Sequence, residues 1–204
     1  MQERDVIKIL QSDLNFNNYS INKIKLFVNR VIKANQRHNF ISKSTENDIW
    51  HRHVLDSAQL VKFIDFTNGS LADLGTGAGF PGIVLAIFND NKHFHVKLYE
   101  KSPVKRKFLS KVIEELNINA TVLSNIYEDE ISAEFIVSRA FKKLDYLIQV
   151  SREIVKKPHK LIVLKGQNAQ EELIKALKNR KYLYKLEKSI TDNNSKIVVI
   201  NIDT

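Results

Sequence analysis

The chain has no cysteine, three prolines, one tryptophan and one methionine. Without cysteine there is no disulfide framework and no thiolate metal centre, a composition that fits a reducing cytoplasm. Long apolar runs are also missing. No segment approaches the ~20 residues that a membrane span needs. The start, Met1-Gln2-Glu3-Arg4-Asp5, lacks a basic region followed by an apolar run, so no secretory signal is visible. Acidic residues fall short of basic ones, 23 against 32, leaving a net charge of +9 and a pI near 9.6. Such a balance suits a polyanionic partner. A lysine-rich surface in a chain crowded with Lys, Asn and Ile explains it equally well.

Glycine is scarce too, with six residues, yet four of them stand between 75 and 82. The stretch reads Leu71-Ala72-Asp73-Leu74-Gly75-Thr76-Gly77-Ala78-Gly79-Phe80-Pro81-Gly82, between an apolar lead-in and the apolar run Ile83 to Phe88. That pattern predicts a strand, a tight glycine turn and a helix. Glycine supplies positive φ and lets a ligand approach bare backbone. The N-terminus of the following helix offers free N–H groups.

The 204 residues, 43% of them hydrophobic, suffice for one packed α/β body. We expect an N-terminal helical region over 1–68 and a core over 69–204. Asp5 to Leu10 reads as a short helix. Ser20 reads as the N-cap of a helix carrying Ile24, Phe27, Val28, Val31 and Ile32 on one face. Thr45 and Asp48 resemble a capping pair for a helix from Glu46 to Phe63. Within it, Arg52, His53 and Asp56 are spaced for an ordinary helical pair. His51 and His53 face different sides, which disfavours a two-histidine metal site, and no metal is expected.

From residue 70 onward strands and helices alternate. Strands are expected at 70–74, 95–99, 120–123, 135–137, 160–164, 182–188 and 196–202. Helices are expected from Ser102-Pro103 to Leu116, from Leu144 to Val155 and from Ala169 to Lys181. This alternation predicts a doubly wound, mostly parallel sheet, and the last two strands an antiparallel edge.

In such sheets ligands sit beyond the carboxyl ends of the strands. The glycine turn, Glu100, the Ile126-Tyr127-Glu128 segment and Ser138-Arg139 all fall at such ends. Glu100 stands 25 residues beyond Gly75, where a carboxylate can accept both hydroxyls of a ribose. The turn fits a pyrophosphate poorly. Counted from Gly75, which follows the strand directly, the third glycine position is Phe80, and Asp73 precedes the turn. An acidic neighbour suits a cationic ligand. S-adenosylmethionine carries a sulfonium, an amino group and no phosphate.

The segment Asp73 to Gly82 resembles motif I of class I methyltransferases, and more narrowly the RsmG (GidB) family of small-subunit rRNA methyltransferases. The likeness includes Arg52-His53-Val54-Leu55-Asp56-Ser57, Glu100 with Lys105 and Phe108-Leu109, Ser138-Arg139-Ala140-Phe141 and Leu164-Lys165-Gly166. It covers residues from about 38 to 166. The resemblance implies a Rossmann-like fold and methyl transfer from S-adenosylmethionine to N7 of a guanine in a loop of 16S rRNA. It implies that Gly75 and Phe80 line the cofactor site and that Gly77 and Gly79 shape the turn. Glu100 would hold the ribose, Tyr127 and Glu128 would flank the adenine, and Arg139 would face the reaction centre. Arg52, His53 and Lys165 are candidates for the RNA side. The implied partner is 16S rRNA or the small ribosomal subunit, met by a cytoplasmic monomer.

N7 of guanine bears a lone pair and no proton, so placement matters more than a general base, and no catalytic acid/base residue is assigned. A product guanine that is cationic disfavours a bare arginine beside N7. Arg139 is therefore read as an orienter of the cofactor carboxylate or of RNA phosphate, with a buried ion pair as the structural alternative. Phosphate contacts are expected from a subset of Lys23, Lys25, Lys43, Lys101, Lys105, Arg106, Lys142 and Lys143. Two other functions stay open here: a class I methyltransferase with another substrate, and a nonenzymatic basic RNA-binding module.

Overall fold

A computed structural model describes residues 1–127, 131–139, 142–178 and 182–203. Glu128, Ala140, Phe141 and Lys181 therefore lie outside the described residues. Strands β1 (Gly69–Leu74), β2 (Phe94–Tyr99), β3 (Ala120–Leu123), β4 (Phe135–Arg139), β5 (His159–Lys165), β6 (Tyr184–Lys188) and β7 (Lys196–Ile202) form one sheet. Their order is β3-β2-β1-β4-β5-β7-β6. The first five run parallel, and β7 lies antiparallel to both β5 and β6. The sequence predicts the doubly wound sheet and the antiparallel pair. Insertion of β7 between β5 and β6 is additional.

Side-chain alternation along the strands sorts the interior into two layers. Leu71, Phe94, Val96, Leu98, Phe135, Val137, Ile162 and Leu164 join one apolar cluster. Ala72, Leu74, Tyr99, Ile136, Leu161 and Val163 join the other. The first layer is covered by α1 (Glu3–Ser12), α2 (Asn18–Asn35), α5 (Gly82–Phe88) and α6 (Pro103–Leu116). The second is covered by α7 (Leu144–Ile154) and α8 (Ala169–Leu177). The N-terminal helices thus share a core with the sheet. Phe27 of α2 is fully buried, and burial of such a side chain stabilises the fold by about 1.5–3 kcal/mol.

Helix ends follow local chemistry. In α6 the Ser102 hydroxyl accepts the Lys105 amide, Pro103 opens the helix, and Asn117 closes it at φ 46°. Helix α2 starts earlier than expected. Its N-cap is Asn17, whose side chain accepts the Ser20 amide at 2.8 Å. Ser20 is instead buried, donating its hydroxyl to the Ile87 carbonyl at 3.1 Å and docking α2 against the end of α5.

The expected helix from Glu46 to Phe63 is broken into pieces. A single turn, α3 (Lys43–Glu46), precedes a π-helical segment at Trp50–Leu55. A short α-turn at Asp56–Ala58 (α4) and a 3₁₀ turn at Gln59–Phe63 follow. Thr45 and Asp48 cap nothing. The Thr45 hydroxyl bonds the His53 ring, and the Asp48 carboxylate bonds His51.

Candidate active site

The turn after β1 is held from three sides. Gly75, Gly77 and Gly79 take φ values of 75°, 62° and 104°, which side-chain-bearing residues rarely adopt. The amides of Gly75 and Thr76 donate to the Tyr99 carbonyl at 3.0 and 3.1 Å. Asp73 lies on the α5 face of β1, and its Oδ2 accepts the Gly82 amide at 2.8 Å. Three of these glycines play distinct parts. A Cβ at Gly82 would meet Leu98 at 2.2 Å and Asp73 Oδ2 at 2.7 Å. At Gly79 it would meet Ile83 at 2.6 Å and Phe27 at 3.1 Å, so that glycine lets α2 close onto the turn. At Gly77 nothing lies nearer than the Gly75 carbonyl at 3.9 Å. Gly77 therefore borders open space.

Asp73 is buried beneath the turn rather than beside an open crevice, contrary to the sequence-based picture of a carboxylate lining the ligand. Burial pushes its carboxyl up to about 6, and the charge on Glu100 adds to that. The Thr76 hydroxyl, the Gly82 amide and Arg139 pull the other way. Oδ1 of Asp73 and the Thr76 hydroxyl are both buried without a well-aligned hydrogen bond.

The space beside Gly77 is a cavity of about 260 Å³ bordered by Gly75, Tyr99, Glu100, Lys105, Ser124 and Ile126. Glu100 follows β2 directly. Its Oε2 accepts the Gly77 amide at 3.0 Å and its Oε1 the Ser102 amide at 2.8 Å. One carboxylate thus ties the glycine turn to the start of α6, and each oxygen keeps acceptor capacity for a further hydrogen bond. An open glycine and a carboxylate with spare acceptor capacity fit a nucleoside better than a phosphate. Tyr127 does not border the cavity, and its hydroxyl lies 3.3 Å from that of Tyr146. Phe80 is buried against Phe27 and His53, with ring centroids 4.9 and 5.1 Å away. Its ring is a wall and offers no exposed face on which a base could stack.

A second cavity, of about 340 Å³, opens along the same edge at the ends of β4 and β5. The π-helical segment builds its wall. Widened turns of this kind recur at functional sites. Here the segment presents Arg52 and His53 and leads directly into Asp56. Arg139 shares the strand face of Phe135 and Val137, so it points toward these residues. Its guanidinium donates to the Arg52 carbonyl at 3.0 Å and to His53 Nδ1 at 2.7 Å, and lies 3.6 Å from Asp56 Oδ2. Because arginine only donates, His53 Nδ1 must accept, and Nε2 carries the proton to the Thr45 hydroxyl at 2.8 Å.

Burial, then the charges of Arg139 and Arg52, lower the His53 pKa to about 3, so its ring is neutral at physiological pH. Asp56 is shifted upward by burial, opposed by Arg139 and by the hydroxyl of Thr191. That hydroxyl and the Gln59 amide donate to Asp56 Oδ1 at 2.9 and 3.0 Å. Arg52 does not pair with Asp56. It reaches Asp192 at 3.6 Å instead. Lys165 lies on the opposite face of β5 from Leu164 and is not an exposed lysine. It pairs with Glu172 at 2.8 Å and donates to the Lys142 carbonyl at 2.6 Å, while still bordering the cavity.

The buried groups set a pH dependence whose signs can be worked out. His53 is depressed from 6.5 to about 3. Its contribution to stability is fully present above pH 6.5 and is lost as pH falls toward 3. Asp73 is raised from 3.8 to about 6, so it favours folding at low pH, and that contribution is lost as pH rises through 6. The two slopes oppose each other between about pH 4 and 6. Relative to the unmodified chain, Asp73→Asn is expected to gain a stability slope of up to about 1.4 kcal/mol per pH unit over that window. Urea denaturation at stepped pH measures it. Parallel curves would mean that Asp73 is ionised throughout.

Both cavities lie beyond the carboxyl ends of parallel strands, on either side of the β1–β4 switch point where ligands of such sheets bind. Sheet order, antiparallel last strands, glycine turn and carboxylate after β2 together define a class I, Rossmann-like methyltransferase fold. The chain matches an S-adenosylmethionine-dependent methyltransferase from Aquifex aeolicus with a TM-score of 0.60 at 13% identity, over 87% of this chain and 98% of that one. The family model for rRNA small subunit methyltransferase G (GidB) matches residues 20–199, and the chain belongs to that family. It is 36% identical over 176 residues to the ribosomal RNA small subunit methyltransferase G of Pelagibacter ubique, covering 83% of each chain. It is 31% identical over 200 residues to that of Orientia tsutsugamushi (strain Ikeda), covering 98% of this chain and 99% of the relative.

Sequence reasoning named Arg52, His53, Arg139 and Lys165 around the second cavity and offered a buried ion pair for Arg139, which the structure shows, but it did not name the partner. Asp56 is the partner of Arg139, and Ser42, Thr45, Thr191 and Ser195 also line the space. The signal for Asp56 was its place in the Arg52-to-Ser57 segment. Thr191 and Ser195 gave none, since they reach the site only because β7 inserts beside β5.

Proposed function

We propose that this chain transfers a methyl group from S-adenosylmethionine to N7 of a guanine in a loop of 16S rRNA. The observation that carries this reading is the pair of cavities on either side of the switch point, one suited to a nucleoside and the other lined by polar groups of a size to receive a base. Gly75 and Gly77 would let the cofactor lie against bare backbone, and Glu100 would accept its ribose hydroxyls. The backbone of Ile126-Tyr127-Glu128 would flank the adenine, and Phe80 and Gly79 would hold the turn's shape. Arg139, with guanidinium donors left over from its three partners, would hold the carboxylate at the methionine end. Bound in this way, S-adenosylmethionine supplies a methyl on a cationic sulfur that departs as a neutral thioether.

The other residues of the second cavity then have the task of placing N7 in line with that methyl. No general base is needed. Asp56 balances the charge of Arg139, and His53 is neutral, so the cationic product meets no uncompensated positive charge. Arg52, His53 and Lys165 would border the target base. Residues 1–68 act as the helical wall of this cavity and 69–204 as the core that holds the cofactor. The partner is the small ribosomal subunit, and the chain works as a cytoplasmic monomer. Among the described residues no helix is long and apolar enough to cross a membrane.

Calorimetry with S-adenosylmethionine, its demethylated product and NAD tests the pocket. Binding of the first two and not of NAD is expected. Tight NAD binding without S-adenosylmethionine binding would overturn the reading.

A further inference from the structure

We propose that the groove between α2 and α6 holds the sugar–phosphate backbone of the rRNA strand beside the target guanine; the inference rests on the methyltransferase reading above. The groove encloses about 790 Å³. Arg30 and Lys33, three positions apart on one face of α2, stand along one wall with Arg37, which lies in the turn that follows the helix. Lys107 and Lys111 face them from α6, four positions apart. The Arg30 guanidinium is committed to Glu115, with Nε 2.9 and 3.1 Å from its two oxygens. That pair leaves Lys33, Arg37, Lys107 and Lys111 without an ion-pair partner among the described residues.

Lys107 and Lys111 are like charges at i,i+4 within α6 and repel each other, so their spacing works against the free chain and suits a bound polyanion. The apolar floor, where Phe40 meets Phe108 edge-on at 4.7 Å, keeps the cations at the rim.

The position of the groove ties it to the site. Helix α6 begins just after Glu100, and Lys105 in its first turn borders the cofactor cavity. The segment after α2 runs through Phe40 to Ser42, which borders the base cavity. A strand with one base in that cavity therefore has a cationic track beginning beside it. Two cations expected from the sequence to bind phosphate are engaged elsewhere. Lys23 donates to the Asn117 carbonyl at the far end of α6, and Lys25 pairs with Glu3.

The test uses the double variants Lys107→Ala/Lys111→Ala and Lys33→Ala/Arg37→Ala, made on solvent-facing positions where alanine does not strain the fold. Their affinity for protein-free 16S rRNA is measured between 50 and 200 mM salt. Each lost phosphate contact lowers the slope of log affinity against log salt by about 0.7–0.9. Each double variant is therefore expected to lose about tenfold less affinity than the unmodified chain over that range. S-adenosylmethionine affinity is expected to stay within twofold. Unchanged slope and affinity in both variants would overturn the proposal. So would a loss seen on small subunits and not on protein-free rRNA, since that partner would be a ribosomal protein. Reduced slopes in a chain that transfers no methyl to rRNA would leave the groove standing and sink the methyltransferase reading. Full transfer with unchanged slopes would do the reverse.

Discussion

Gly77→Val is expected to raise the dissociation constant for S-adenosylmethionine about a hundredfold or more while leaving rRNA binding close to that of the unmodified chain. Gly77 sits at φ 62°, where a β-branched residue costs about 1–3 kcal/mol of strain. Its Cβ would enter open space, so the added side chain fills the cavity bordered by Glu100 without disturbing the core. A hundredfold loss corresponds to about 2.7 kcal/mol. Gly75→Val, at φ 75° in the same cavity, acts in the same direction. Gly82→Ala is the contrasting control. Its Cβ collides with Leu98 and Asp73, so it should lower folding stability by about 1–3 kcal/mol, an overpacking cost paid inside the fold. Calorimetry with parallel thermal denaturation separates the two kinds of effect. If Gly77→Val lost rRNA and cofactor equally, the turn would be a structural element and not a ligand site.

Arg139→Ala is expected to destabilise the chain by about 3–5 kcal/mol, because it leaves the Asp56 carboxylate buried without its counter-charge. It also removes the donor to His53 Nδ1 and to the Arg52 carbonyl. A loss of this size lowers the melting temperature by about 10 °C in a chain of this length. Affinity for S-adenosylmethionine should fall about tenfold or more, the effect of losing a charge-assisted bond to the cofactor carboxylate. Arg139→Lys should not restore stability, since one ammonium cannot present the planar fork that meets all these groups at once. Adding Asp56→Asn to Arg139→Ala should recover part of it, because the orphaned charge is then gone. Strict additivity of the two substitutions would mean that Arg139 and Asp56 do not act as a pair.

Much of this site was legible as a pattern, and the pattern's limits are physical. The glycine turn, the strand before it and the carboxylate after β2 are local features, written in consecutive residues. Alternation along β4 also fixes that Arg139 shares a face with Phe135 and Val137. What alternation leaves open is which helices cover that face. Arg139 meets His53 and Asp56 because the N-terminal helices pack on it, through contacts such as Phe27 with Phe80. Lys165, of opposite parity to Leu164 on β5, turns toward α8 and finds Glu172 for the same reason. The stretch from Trp50 to Phe63 has helical composition, and nothing local in it announces the π-helical segment. Arg52, His53 and Asp56 find their partners outside the segment, in Asp192, Thr45 and Arg139. Asn17 displaced Ser20 as the N-cap because Ser20 has a tertiary partner in the Ile87 carbonyl.

Transfer of tritiated methyl from S-adenosylmethionine to unmethylated small subunits, with the label traced by nuclease digestion, tests the central claim most directly. The label should appear in rRNA, on N7 of guanine, and should vanish with Gly77→Val. Label on ribosomal protein, or on any other atom of the RNA, would contradict it.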